Sequence, residues 1–362
     1  MADHELSILL EEMEGLGVLQ RLPTGGYTLR SPNVVPLMGT GTDIEGVLGK
    51  DRELPPTFDP ATFRARPLHD ASSPQRHPLT FEQERILRRE RNRVWMVSGS
   101  AAGGIDSLQE FLRETSGPNS FRDVGQATDA HNFILRLKPV QRRASRAPAL
   151  VVVPAQAPWN GEWLERAEHW VAGLGTTARS AQVVFLASPQ LLWALPDLSA
   201  EVPRMTLRPW SDAFLRQWLD DLELPLDAEH RTTLNQVTGN WSALCLRWHA
   251  ALGRDPTAWR AQLDRLEAEL ATPQTVAETY GPLFGLDIAA ARQPLRALAR
   301  EFGTNSVTDD DLELLAGAED IPLPNLRRAV DWALAVGNAH RAGPSESRLD
   351  PVVARVLAAY PQ

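Results

Sequence analysis

The sequence predicts an α/β protein: a parallel sheet covered on both sides, followed by a helical segment and a C-terminal winged helix. Three observations carry this. The runs "VWMVS", "PALVVVP" and "AQVVFLAS" are apolar at consecutive positions, as strands buried on both faces must be. Helical patterns such as "IDSLQEFLRET" and "EWLERAEHWVAGL" separate them, which is the alternation of a parallel sheet. From residue 281 onward the chain reads as three helices, a Gly- and Pro-punctuated ribbon and a short closing helix, the winged helix-turn-helix order.

Taken in order, residues 1–50 contain an apolar helical pattern, "ELSILLEEMEGLGVLQ", a Gly-containing ribbon and "SPNVVPLM". The same succession recurs at the other end as "AVGNAHRAGPSESRLDPVVARVL", a weak internal repeat. One helix cannot bury the core of a winged helix. Residues 1–50 are therefore expected to be the tail of such a unit, packed on the α/β core or covered by another chain or an upstream domain. Residues 51–79 are Pro-rich and read as a linker. The α/β core is expected over 80–200. Thr80 opens its first helix, with Gln83 placed for a capping box, and "FRDVG" and "ATDAHNFILRLK" supply a short strand and a helix between the buried strands. Residues 201–280 hold one short strand at most and then helices. Residues 281–362 form the winged helix, through "ARQPLRALAREFG", "TDDDLELLAG" and "LPNLRRAVDWALAVG".

Composition narrows the function. The formal net charge of −9 argues against a surface that coats nucleic acid throughout, although the middle of the chain is basic between acidic flanks. No apolar run approaches the length of a membrane span, and "MADHELSILLEEMEG" lacks the basic opening of a secretion signal, so a cytoplasmic protein without a membrane partner is expected. The single cysteine, Cys245, sits in the apolar run "WSALCLRWHAAL" and reads as a small buried hydrophobe. No metal and no cofactor are expected. The scattered histidines, among them His169 and His249 on amphipathic helices, read as packing or surface residues.

The stretch "VSGSAAGGIDS" holds the sharpest motif. Gly99 and Gly104 frame a G-x-x-x-x-G turn between a strand and a helix, the spacing of a phosphate-cradling loop, yet the next two positions are Ile105 and Asp106 rather than Lys and Ser/Thr. The only lysines in the chain, Lys50 and Lys138, follow no glycine-rich loop. A strand-to-helix turn in any doubly wound protein also favours glycine, so an ordinary turn stays open as the alternative.

The order of strand, glycine loop, helix, apolar strands, the helical stretch ending in "TGNW" and a winged helix resembles the bacterial ATPases of the AAA and STAND classes, over about residues 78–360. The resemblance implies a P-loop NTPase-like core, a helical lid over 201–280 and a helix end at Thr238-Gly239 near the nucleotide. It also implies a phosphate-binding lysine where this chain has Ile105, a Mg²⁺-binding hydroxyl where it has Asp106, acidic groups after the central strand where it has Pro154 and Ala155, and a polar sensor at Ser188. With these departures the chain is expected to be no enzyme but a degenerate, ATPase-like scaffold.

Two functions of different class follow. One is a scaffold that binds protein partners, an upstream ATPase domain among them; the tryptophans of "APWNGEWLERAEHW" suit either an interface or the core. The other is DNA binding through the winged helix and the basic run "RLKPVQRRASR". Its candidate contacts are Arg327 and Arg328 on the recognition helix, Arg341 in the wing, and Arg136, Lys138, Arg142, Arg143 and Arg146. Asp331 and "TDDD" oppose that reading by repelling phosphate.

Overall fold

The structure is a computed structural model and describes residues 19–21, 27–29, 79, 83, 86–87, 93–116, 121–124, 127–144, 149–174, 181–195, 202–222, 224, 226–253 and 255–361. The chain divides into two compact units, 1–66 and 67–362. Of the first, the described part is an antiparallel hairpin of β1 (Leu19–Arg21) and β2 (Tyr27–Leu29), in register Leu19 to Leu29. This is the expected ribbon; the helix before it and the linker over 51–78 lie outside the described residues.

The second unit is built on a five-stranded sheet, parallel throughout. Its strands are β3 (Arg93–Ser98), β4 (Phe121–Asp123), β5 (Ala149–Val153), β6 (Ala181–Ala187) and β7 (Arg204–Thr206), in the spatial order β4-β5-β6-β3-β7. Successive side chains leave the sheet on opposite faces. Val94, Met96, Val151, Val153, Val183 and Phe185 enter one apolar cluster, and Trp95, Val97, Val152, Val184 and Leu186 enter the other. The second cluster is closed by Leu108, Phe111 and Leu112 of α1 (Ile105–Ser116). The first is closed by Phe133 and Leu137 of α2 (Ala130–Ala144) and by Trp163 and Ala167 of α3 (Gly161–Gly173). Both faces are thus filled, which is why these strands read as continuous apolar runs.

Three local expectations are revised. The helix expected over "ATDAHNFILRLK" continues to Ala144, with Pro139 inside α2; one missing N–H is tolerated in a helix whose apolar face is already packed. Gln83 is helical as expected, but its side chain donates to the Thr206 carbonyl at 2.8 Å, tying this helix to the edge strand β7. The sheet also extends past residue 200, because β7 pairs with β3.

After α4 (Pro189–Ala194), the chain runs through α5 (Asp212–Asp221), α6 (Ala228–Thr238), α7 (Ser242–Leu252) and α8 (Trp259–Ala271). Next comes the composite α9: Pro273–Thr275, a π-helical turn Val276–Tyr280, and Gly281–Leu283. Then come α10 (Ala289–Phe302), α11 (Asp309–Glu319) and α12 (Leu323–Val336). An antiparallel ribbon of β8 (Ala339–Arg341) and β9 (Ser347–Leu349) precedes α13 (Pro351–Ala359), and Val307 adds an isolated antiparallel bridge to Ser347. The caps follow local chemistry. Thr308 and Asp311 form a capping box at α11, and Gly239 and Gly337 end α6 and α12 in the left-handed conformation.

Gly337 is also a close-approach point, since a Cβ there would overlap the carbonyl oxygen of Leu207 while φ stands at +84°. Gly337→Ala is expected to destabilise the protein by roughly 2–4 kcal/mol through left-handed strain plus overlap. Gly317→Ala, on α11 with nothing near the added methyl, is expected to stabilise by about 0.5–1 kcal/mol. Urea unfolding of the two variants beside the parent checks both signs.

Candidate functional site

The strand order reverses at β3. The chain leaves it for the far edge β4, returns through β5 and β6 to β3's side, and then places β7 on its other flank. In open α/β sheets this reversal, at the carboxyl ends of the strands, is where ligands are bound. The G-x-x-x-x-G turn lies at that end. Gly99 and Ser100 leave β3, Ala101–Gly103 make a single 3₁₀ turn, and Gly104 takes φ +89° before α1 begins at Ile105. A side chain at 104 would be strained, so this glycine is required by the backbone itself.

The turn is filled from two sides. A Cβ at Gly99 would stand 2.8 Å from Leu207 Cβ. One at Gly103 would stand 3.2 Å from Leu207 Cβ and 3.5 Å from Trp241 Cζ3. Ser242 Oγ donates to the Ala102 carbonyl at 3.0 Å. Within the turn, the N–H groups of Gly103 and Ile105 donate to Ser100 O and that of Gly104 to Ala101 O. Ser100 Oγ is buried and has no hydrogen-bond partner among the described residues. Ile105 is buried among Val97, Leu108 and Leu207, whereas Asp106 is exposed in the first turn of α1. Although that residue as a whole is exposed, partial desolvation of its carboxyl raises its pKa.

Pro154 and Ala155 follow β5 in a turn closed by Ala157 N–H to Pro154 O at 3.1 Å. Pro154 is buried and Ala155 half-buried against the sheet, so neither offers a polar side chain to the crevice. Ser188 accepts from the Leu191 N–H at 3.3 Å as the N-cap of α4. Trp159 and Trp163 are core residues, with Trp159 Nε1 donating to Leu186 O at 3.1 Å.

The C-terminal elements close over the same strand ends. Ser98 Oγ donates to Ala335 O of α12 at 2.6 Å, and Trp332 Nε1 donates to Pro189 O at 2.9 Å. Trp241, fully buried, touches the turn with its ring and donates Nε1 to Asp350 Oδ1 at 3.0 Å. Asp350 simultaneously caps α13 through the Val352 and Val353 N–H groups. Burial outweighs these bonds and raises its pKa. Leu207, Trp241 and Asp350 are the residues that sequence reasoning missed. The signals were there, in "TGNW" and in Asp before Pro at a helix start, but nothing in sequence joins positions so far apart.

Among the described residues, the candidate nucleic-acid contacts do not form one surface charge. Arg327 pairs with Glu313 at 3.3 Å and Asp309 at 3.8 Å, and Arg341 approaches Asp331 at 4.0 Å and donates to Ser347 Oγ at 3.3 Å. These two line one cavity of about 250 Å³ between α11, α12 and the ribbon. Arg328 turns the other way: it lies over the Trp193 ring at 4.4 Å and donates to the Trp193 carbonyl. On α2, Arg136 donates to Asn132 Oδ1 at 2.9 Å, and Lys138 is exposed. The backbone of Arg142 and Arg143 is helical, and Arg146 lies outside the described residues. Among the described residues there is no cluster of metal-binding type and no helix long and apolar enough to cross a membrane.

A solved structure similar to this chain is a Walker-type ATPase of Pyrococcus abyssi, with 14% sequence identity, a TM-score of 0.47, and coverage of 78% of this chain and 97% of that one. No protein-family model matches the sequence, and no curated protein matches it. The fold is that of an α/β protein with a P-loop NTPase-like parallel core. The expectation that the chain is no enzyme is corrected by this finding, since the neighbour is itself a Walker-type ATPase.

Two outcomes follow from the buried groups. A carboxyl whose folded pKa is raised contributes stability that is present below its unfolded pKa and lost as pH rises through the folded one. Asp350→Asn keeps the acceptor oxygen and is expected to be more stable than the parent at pH 7, with the difference closing as pH falls toward the ordinary carboxyl range. Asp350→Ala, which strands the Trp241 N–H and the cap, is expected to cost about 1–3 kcal/mol. Thermal melts across pH separate the three proteins. Second, burial pushes the Cys245 thiol up to about 12, and it is the one cysteine of the chain. Ellman's reagent is expected to react only as fast as the protein unfolds; immediate reaction in native buffer would refute the burial.

Proposed function

We propose that the chain is an adaptor module of a larger bacterial assembly. It would combine an AAA/STAND-like order of P-loop NTPase-like core, helical segment and C-terminal winged helix, with the winged helix serving protein contact. The boundaries proposed are a winged-helix tail over 1–50, a linker over 51–79, the core over 80–200, the lid and connector over 201–280 and the winged helix over 281–362. Three helices, a ribbon and the Val307 to Ser347 bridge support the last assignment.

The observation that carries the reading is the state of the recognition-helix arginines. A surface for duplex DNA presents uncompensated cations, because affinity comes from displacing counterions on phosphates. On α12, Arg327 faces Asp309 and Glu313, Arg341 of the wing faces Asp331, and Arg328 is turned onto Trp193 of α4. Mixed charges around an apolar floor of Val307, Leu312 and Val330 suit a protein surface better than a polyanion.

Fluorescence anisotropy with a labelled duplex at physiological salt tests this directly. No saturable binding below roughly the non-specific range of 10 μM is expected. Binding whose salt slope falls by about 2 in the double variant Arg327→Ala, Arg341→Ala would transfer the function to DNA.

A further inference from the structure

A second cluster, away from the strand ends, lies between α7, α8 and α9. Glu269 of α8 accepts three bonds: from Tyr280 Oη at 2.6 Å, from Arg247 Nη2 at 3.0 Å and from Arg265 Nε at 3.1 Å. Tyr280 is delivered by the π-helical turn Val276–Tyr280, a local geometry often found at functional sites. The Arg247 guanidinium also lies over the Tyr280 ring at 5.2 Å, which fixes its plane. Beside these groups is a cavity of about 140 Å³ lined by Arg247, Arg265, Glu269, Gln262 and Trp248, with Leu266 and Ala251 completing the wall.

The charge balance of this cavity is positive. It has two guanidinium groups and one carboxylate, and the carboxylate is already saturated with donors. Burial alone would raise the Glu269 pKa, but the Tyr280 hydroxyl and the two arginines outweigh it and hold the group below the usual carboxylate range, so it stays charged and keeps both arginines in place. Arg265 spends only Nε on Glu269, and Arg247 only Nη2. The remaining guanidinium N–H groups are not used by Glu269, and Arg247, Arg265 and Gln262 all line the cavity. Glu269 accepts from the two guanidiniums through different oxygens, from Arg247 on Oε2 and from Arg265 on Oε1. The donors left over belong to three side chains on two helices, α7 and α8, more than one planar carboxylate can use and enough for the several acceptor oxygens of a phosphate.

We propose that Arg247, Arg265 and Gln262 form a subsite for a phosphoryl group, organised by Glu269 and Tyr280. The group could arrive as free phosphate or on a phosphorylated side chain; the two share the same recognition chemistry. The site does not depend on the adaptor reading.

The test uses the full chain, with the arginine Nε–Hε resonances followed during titration with sodium phosphate at ionic strength held constant by chloride. A saturable shift of the Arg265 and Arg247 signals in the millimolar range is expected, as is an affinity weakened about tenfold by Arg265→Gln. Arg265 is mostly exposed, so this variant is expected to keep the parent's unfolding midpoint. A parallel titration with a phosphoserine-containing tripeptide distinguishes the sources: binding tighter than phosphate assigns the site to a phosphorylated chain, and equal or weaker binding assigns it to the free anion. No saturable shift, an unchanged affinity in Arg265→Gln, or an equal response to acetate would overturn the proposal.

Discussion

Leu207 and Trp241 set the arrangement of everything at the carboxyl ends of the sheet. Leu207 follows β7 directly and is held there by its own N–H to the Ser98 carbonyl at 2.8 Å, so its side chain arrives over the glycine turn in fixed register with β3. Trp241 reaches the same turn from the start of α7. The glycines at 99 and 103 are then a packing requirement, and only Gly104 answers to backbone conformation. Burying two large side chains against a main-chain turn leaves no tolerance for an added methyl, because protein interiors are as dense as organic crystals.

Trp241 also transmits that register to the C-terminal unit. Its indole N–H is bound by Asp350, and Asp350 is the cap of α13, whose Val352 abuts Gly239 at the end of α6. Arg355 of α13 donates to the Gln236 and Val237 carbonyls at the same helix end. The helical segment and the last helix therefore meet through polar bonds that each satisfy a helix terminus. Losing one strands a buried partner, which costs more than the bond contributes when made. Together with Ser98 to Ala335 and Trp332 to Pro189, these contacts join the sheet, the middle helices and the last helices into one packed body.

The elements themselves were legible. Strands buried on both faces announced themselves as "VWMVS", "ALVVV" and "AQVVFLA", and the three helices and ribbon after residue 289 read from their periodicity, with Thr308, Gly337 and Asp350 capping them in the structure. What was not legible is what these elements bring together. Thr206 and Leu207 sit in "RMTLRP", too short a run to distinguish an edge strand from a loop, and only pairing with β3 makes it a strand. Gln83 has the spacing of a capping box, yet its amide goes to Thr206, a partner 123 positions away that no local pattern encodes. The glycine turn lies between strand and helix as expected, with Ile105 turned into the apolar core and Asp106 in the first turn of α1.

The same reasoning applies to the arginines of the surface. Arg327, Arg328 and Arg341 fall at helix and ribbon positions that suggest one basic face, but a cation acts at a distance only by the charge left after its neighbours are counted. Exposed pairs such as Arg327 with Glu313 add little stability; their effect is to cancel the field that would draw a polyanion. At Glu269 the balance runs the other way, since one carboxylate is shared by two guanidiniums and a hydroxyl. Two sites with the same residue types thus differ in sign of residual charge, and that residue of charge, set by which helix faces which, decides what each can attract.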